Sequence, residues 1–129
     1  MALRLTLRPN ERVIVGGAVV RNGESRCELL IENEVPVLRE PDILSPNAVH
    51  TPCERIYLAL QLMYVDEERS AQHQVTYEEL VAEVLQAAPS LAPSLQAIQD
   101  QVGAGRIYQA LKGAHGLLHR ERELVPDVQ

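Results

Sequence analysis

Leu38-Arg39-Glu40-Pro41-Asp42-Ile43, followed after a short connector by Arg55-Ile56-Tyr57-Leu58-Ala59-Leu60-Gln61-Leu62-Met63-Tyr64, decides the fold class. The first segment closes a strand-patterned half that carries arginines. The second opens a helical half: Ile56, Leu60 and Met63 form one stripe, widened by Leu58 and Leu62. The chain therefore reads as α+β. A small antiparallel β-meander is expected over 1–45, a bundle of three to four helices over 46–124, and a tail over 125–129. Nothing in this junction reads as an active site.

Working back toward the N-terminus, Leu3, Leu5 and Leu7 alternate with Arg4, Thr6 and Arg8, which predicts a half-buried strand with an arginine-bearing outer face. Pro9-Asn10 makes a turn. Val13-Ile14-Val15 and Ala18-Val19-Val20 read as short strands separated by Gly16-Gly17. Asn22-Gly23 is a hairpin signal, because both residues tolerate positive φ. Cys27–Ile31 returns as a fourth strand. Val35–Leu38 makes a fifth, and Pro36 implies that it is an edge strand or an irregular one.

Working forward, Thr51-Pro52-Cys53-Glu54 is a capping box with proline at the first helical position, so a helix is expected to run from there to about Asp66. Thr76-Tyr77-Glu78-Glu79 reads as a second capping box, opening a helix with Leu80, Val81, Val84 and Leu85. Pro89 and Pro93 precede a third helix with Leu95, Ile98 and Val102. Gly103 and Gly105 permit a break before a last helix holding Ile107, Leu111, Ala114 and Leu118.

Composition bounds the chemistry. A chain of 129 residues can bury a core without staples. It has no Phe and no Trp, so the core must be Leu, Val, Ile and Ala around four tyrosines. The formal charge is −6, with six arginines against seven acids over 1–45 and six basic residues against eleven acids over 46–129. Eleven of the twelve cations are arginine, which suits bidentate contact with phosphate or carboxylate, although GC-rich coding enriches arginine too. Cys27 and Cys53 lack a paired spacing and read as reduced and structural. No signal sequence or membrane span is read, and a cytoplasmic location is expected.

His115 and His119 share a helix face, but nothing in the sequence completes a zinc site, and they read as exposed helix histidines. No nucleophile elbow, P-loop or dinucleotide fingerprint occurs, so no catalytic residue, metal or cofactor is expected. The arginines remain. Arg4 and Arg8 fall on one outward face, with Arg12, Arg21 and Arg39 at nearby strand ends. They read either as a solvated face paired with Glu11, Glu24 or Glu40, or as a face for phosphate and unpaired bases. Such a face would lack an aromatic platform.

Several stretches resemble the FlbT family of alphaproteobacterial flagellar regulators: Leu5–Arg12, Gly17–Gly23, Leu29–Asn33, Leu38–Ile43, Arg55–Tyr57, Leu62–Tyr64 and Ala104–Lys112. The resemblance implies a non-enzymatic post-transcriptional regulator. It would bind the 5′ untranslated region of flagellin mRNA and control its stability or translation, as a repressor rather than an activator. FlaF or flagellin would be its protein partner, and neither DNA nor membrane is implied.

The N-terminal third is also similar to the CsrA family of leader-RNA-binding proteins, through Leu3, Leu5, Arg8, Glu11, Gly16, Val37, Arg39, Glu40 and Ile43. That resemblance implies RNA contact by Arg8 and Arg39, with Leu5 and Thr6 supplying strand backbone, and a homodimer through exchanged strands. It departs at Leu7-Arg8, where paired arginines are expected, and at Leu38, where a histidine is. RNA contact is thus expected from Arg4, Thr6, Arg8 and Arg39. The alternative is a module whose helices recognise flagellin or a flagellin-related factor, with indirect effects on RNA.

Overall fold

Leu5 and Leu7 are buried on strand β1 (Leu3–Leu7) while Arg4 and Thr6 face solvent, as the alternation predicts; Leu3, at the strand end, stays exposed. The computed structural model describes residues 2–124 and separates into two compact units, 1–43 and 44–129. The expected tail over 125–129 lies outside the described residues. Over the described residues the architecture is α+β, with antiparallel strands first and four α-helices after them.

The strands pair as two small sheets. β1 lies against β4 (Cys27–Ile31), with Leu5 opposite Leu29. β2 (Arg12–Val15) sits between β3 (Ala18–Arg21) and β5 (Val37–Arg39). Only β2 and β3 are therefore neighbours in both sequence and space. β5 is a three-residue edge strand starting just after Pro36, as that proline requires. Leu5, Leu7 and Val13 form the core of this unit, packed by Val15, Cys27, Leu29, Ile31 and Val37 from both sheets.

Two turns explain the pairing. Gly16 and Gly17 have φ of 55° and 91° and close the β2–β3 hairpin, with Val15 opposite Ala18. Asn22-Gly23 does not make the expected hairpin: among the described residues Asn10 is the only non-glycine with positive φ, and Gly23 is not among the positive-φ glycines. The Asn22 side chain is used differently. Its amide donates to the carbonyls of Arg8 (2.8 Å) and Ser25 (2.9 Å), and its oxygen accepts from the Gly23 N–H. The chain thereby turns a corner from one sheet to the other.

In the second unit, α1 (Pro52–Val65) begins at the expected capping box. Thr51 accepts from the Glu54 N–H, and Glu54 accepts from the Thr51 N–H at 3.0 Å. Gln61, buried on α1, fixes the incoming chain by bonding both the N–H (2.8 Å) and the carbonyl (3.1 Å) of Leu44. α1 packs on α2 (Ser70–Ala87) and on α4 (Ile107–Leu124), and α3 (Ala92–Gly103) packs on α4.

α2 corrects the sequence reading. It starts at Ser70, so Thr76 lies inside the helix and caps nothing; its hydroxyl leans back to the Gln72 carbonyl at 3.4 Å. Residues 70–74 prolong the helix because none of them is proline or glycine and Tyr77 is fully buried in the same run. No helix among the described residues is long and apolar enough to cross a membrane.

Candidate nucleic-acid interface

The end of β1 builds the site. Where Arg8 leaves the strand, its N–H donates to Glu11 Oε1 at 2.8 Å, and the Glu11 N–H donates back to the Arg8 carbonyl at 3.1 Å. This closes the turn around Pro9-Asn10 and buries Glu11 to 4% exposure. From β5, Arg39 Nη2 reaches the other carboxylate oxygen at 3.2 Å and the Thr6 carbonyl at 2.7 Å. One buried carboxylate thus ties three segments together. The Arg8 N–H and, after it, the Arg39 guanidinium hold the Glu11 carboxyl below its ordinary value against the opposing effect of burial. At neutral pH Glu11 is a fixed anion.

Thr6, Arg8, Glu11, Arg26, Arg39 and Pro41 line an open hollow of about 470 Å³. It holds three guanidinium groups and one carboxylate, so it stays positive although the chain is acidic. Arg8 is three-quarters exposed and Arg39 is partly exposed. Arginine in such a setting can bind phosphate through paired N–H groups and stack on bases through its planar face.

The residues singled out from sequence separate here. Thr6, Arg8 and Arg39 come together. Arg4 does not line the hollow; it reaches diagonally across to Glu28 on β4 at 3.8 Å. Arg12 pairs with Glu40 at 3.4 Å, and Arg21 donates to the Asn10 carbonyl at 3.1 Å. Arg26 lines the hollow and was not anticipated. The β1–β4 register places Leu7 opposite Cys27, so Arg26 falls beside Arg8; with that pairing known, the residue before Cys27 would have been a candidate.

Other candidates resolve differently. His115 is half-buried rather than exposed: its Nε2 lies 3.1 Å from the Tyr57 hydroxyl, and the rings meet edge to face. His119 is exposed. Among the described residues no group of three His, Cys, Asp or Glu side chains could hold a metal. Burial and the nearby Glu121 push the Cys53 thiol up to about 12, which leaves it unreactive as a nucleophile. That thiol borders an apolar cleft of about 370 Å³ in the helical unit, lined also by Pro52, Val84, Ala87, Leu91 and Leu124.

The family model described as flagellar protein FlbT matches residues 3–125. A probable flagellum biosynthesis repressor protein, FlbT 1 of Bradyrhizobium diazoefficiens, is 45% identical over 96% of this chain and 85% of its own length. The corresponding protein of Rhodopseudomonas palustris is 37% identical over 97% of this chain and 98% of its own. The flagellum biosynthesis repressor protein FlbT of Caulobacter vibrioides is 34% identical over 95% and 89%. No solved structure gives a significant match.

Proposed function

Because this chain belongs to the FlbT family, regulators of flagellum synthesis, we propose that it acts in the cytoplasm by binding the leader of flagellin mRNA directly and repressing its expression. The observation that carries this reading is the convergence of Arg8, Arg26 and Arg39 on one hollow beside β1. Glu11 holds Arg39 in place before any ligand arrives, so little side-chain ordering is left for binding. Arg8 and Arg26 supply mobile phosphate contacts, and Thr6 contributes strand backbone. The naming of the relatives as repressors supports repression, and the likeness of the first third to CsrA proteins supports RNA as the ligand. Faster decay of the bound message is the expected consequence.

A second reading has one observation in its favour. The apolar cleft of the helical unit fits a protein partner such as flagellin or a flagellin-related factor, with RNA affected indirectly.

Salt separates the two. Purified protein is titrated with transcribed flagellin leader RNA across a salt series, beside Arg8→Ala/Arg39→Ala and the charge-keeping Arg39→Lys. Direct binding predicts steep weakening with salt, each phosphate contact contributing roughly 0.7 to the logarithmic slope. The double alanine variant should lose roughly tenfold or more in affinity while its far-ultraviolet spectrum is kept. Absence of wild-type binding at low salt overturns the reading and leaves the protein-partner cleft as the place to look.

A further inference from the structure

The apolar cleft beside Cys53 is built from the ends of three helices. α1 packs against both α2 and α4, and its first turn contributes Pro52 and Cys53. Val84 and Ala87 come from the last turns of α2, and Leu124 from the end of α4. Leu91, in the short turn after α2, is buried and completes the apolar lining. Leu124 stays 47% exposed although it is a large aliphatic side chain, and Ala87 is exposed as well. At about 370 Å³ the cleft falls within the range of ligand-sized pockets, roughly 300–1,000 Å³.

Its charge is one-sided. Glu83 and Glu121 border the cleft against a single cation, Arg55. Glu121 accepts from two neutral donors, the Thr51 hydroxyl and the Cys53 N–H. Among the described residues neither glutamate forms an ion pair. α2 carries Glu78, Glu79 and Glu83 and no lysine or arginine, and its last carbonyls add partial negative charge at the Ala87 end. The cleft therefore complements a ligand that is apolar at its centre and cationic at its edge. RNA fits neither part, since its phosphates would meet carboxylates. A second copy of the chain, itself at −6, brings further acids.

We propose that this cleft seats an amphipathic helix of a partner protein, with basic residues flanking its apolar stripe. Aliphatic side chains one turn apart fill the space between α2 and α4, and a lysine or arginine beside them meets Glu83 and Glu121. The inference rests on the protein-partner reading of the cleft, gives that partner its chemistry, and holds whether or not the β1 hollow binds RNA.

The probes are three fluorescein-labelled synthetic helices of equal length and the same 3.6-residue pattern: leucine with lysine, leucine with glutamate, and alanine with lysine. Each is titrated with the full chain at physiological ionic strength, where long-range attraction between exposed charges is screened, and binding is read by anisotropy. The leucine–lysine helix should bind saturably and roughly tenfold or more tighter than either of the others. Ala87→Trp, which fills the cleft from an exposed position, and Leu124→Asn, which removes apolar lining, should each weaken it roughly tenfold while the far-ultraviolet spectrum is kept. Glu83→Lys should narrow the gap between the two leucine helices. Undiminished binding of the leucine–lysine helix by both cleft variants overturns the proposal, because the attraction is then to the acidic surface at large. Absence of wild-type binding overturns it too. Self-association of the wild type that Ala87→Trp abolishes makes a second copy the occupant, and the proposal falls. Arg8→Ala/Arg39→Ala should bind the leucine–lysine helix as the wild type does, so the cleft and the RNA hollow can fail separately.

Discussion

Glu11 is the residue on which the N-terminal unit turns. Its carboxylate accepts from the main chain at Arg8 and from the side chain of Arg39, so its charge serves both the fold and the site. Because its folded pKa is depressed, its stabilising contribution is complete above the unfolded value of 4.5 and is lost as pH falls through the lower folded value. Glu11→Gln should therefore lower the urea midpoint at neutral pH, and the gap from wild type should close well below pH 4.5. A gap unchanged in acid would show that the charge contributes nothing. The arginines around Glu11 were legible as types but not as a set. Alternation gave the outward side of β1; it could not reveal that Arg39 crosses to the Thr6 carbonyl, that Arg26 joins, or that Glu28 draws Arg4 away. Those depend on strand pairing, which local sequence does not encode.

At the scale of elements, end signals were read well where a side chain closes a backbone ring. Thr51→Ala should cost about 1 kcal/mol in denaturant unfolding, because the Glu54 N–H loses its acceptor, whereas Thr51→Ser should stay near wild type. An alanine variant as stable as wild type would remove the cap from the account. Thr76 shows the limit of such signals: the same pattern sits inside α2, where the preceding residues already propagate the helix. Glycine pairs behaved in the same way. Gly16-Gly17 carries the β2–β3 hairpin, whereas the one expected at Asn22-Gly23 does not form and the Asn22 amide instead bridges four backbone groups. At φ of 91°, Gly17→Ala should destabilise by about 1 kcal/mol or more, while an alanine at Gly23, outside the positive-φ region, should cost less. Equal thermal shifts for the two would contradict the turn assignment.

At the scale of the molecule, the α+β division was visible because the hydrophobic period changes from two to about 3.6 near residue 45. The helical unit buries Ile56, Leu60, Tyr77, Leu95, Leu111 and Leu117, among others, whereas the strand unit has 43 residues and buries the apolar side chains of Leu5, Leu7, Val13, Ile14 and Leu38. A fragment over 44–124 should give a helical spectrum and a cooperative melt. The fragment over 1–43 should not fold alone, since domains near 40 residues need added staples. A cooperative melt of the short fragment would refute this. The Glu11 node also has a genetic consequence. On the proposed RNA reading, mutations that abolish repression should fall at the same few positions whether they damage folding or recognition, because one carboxylate holds Arg39 and closes the strand turn. Loss of Arg39 would leave behind a buried anion and, on that reading, remove a phosphate contact as well. Second-site suppressors of such a mutation are expected at Glu11 itself, where neutralising the stranded charge would restore the protein's abundance without restoring the proposed contact with the message.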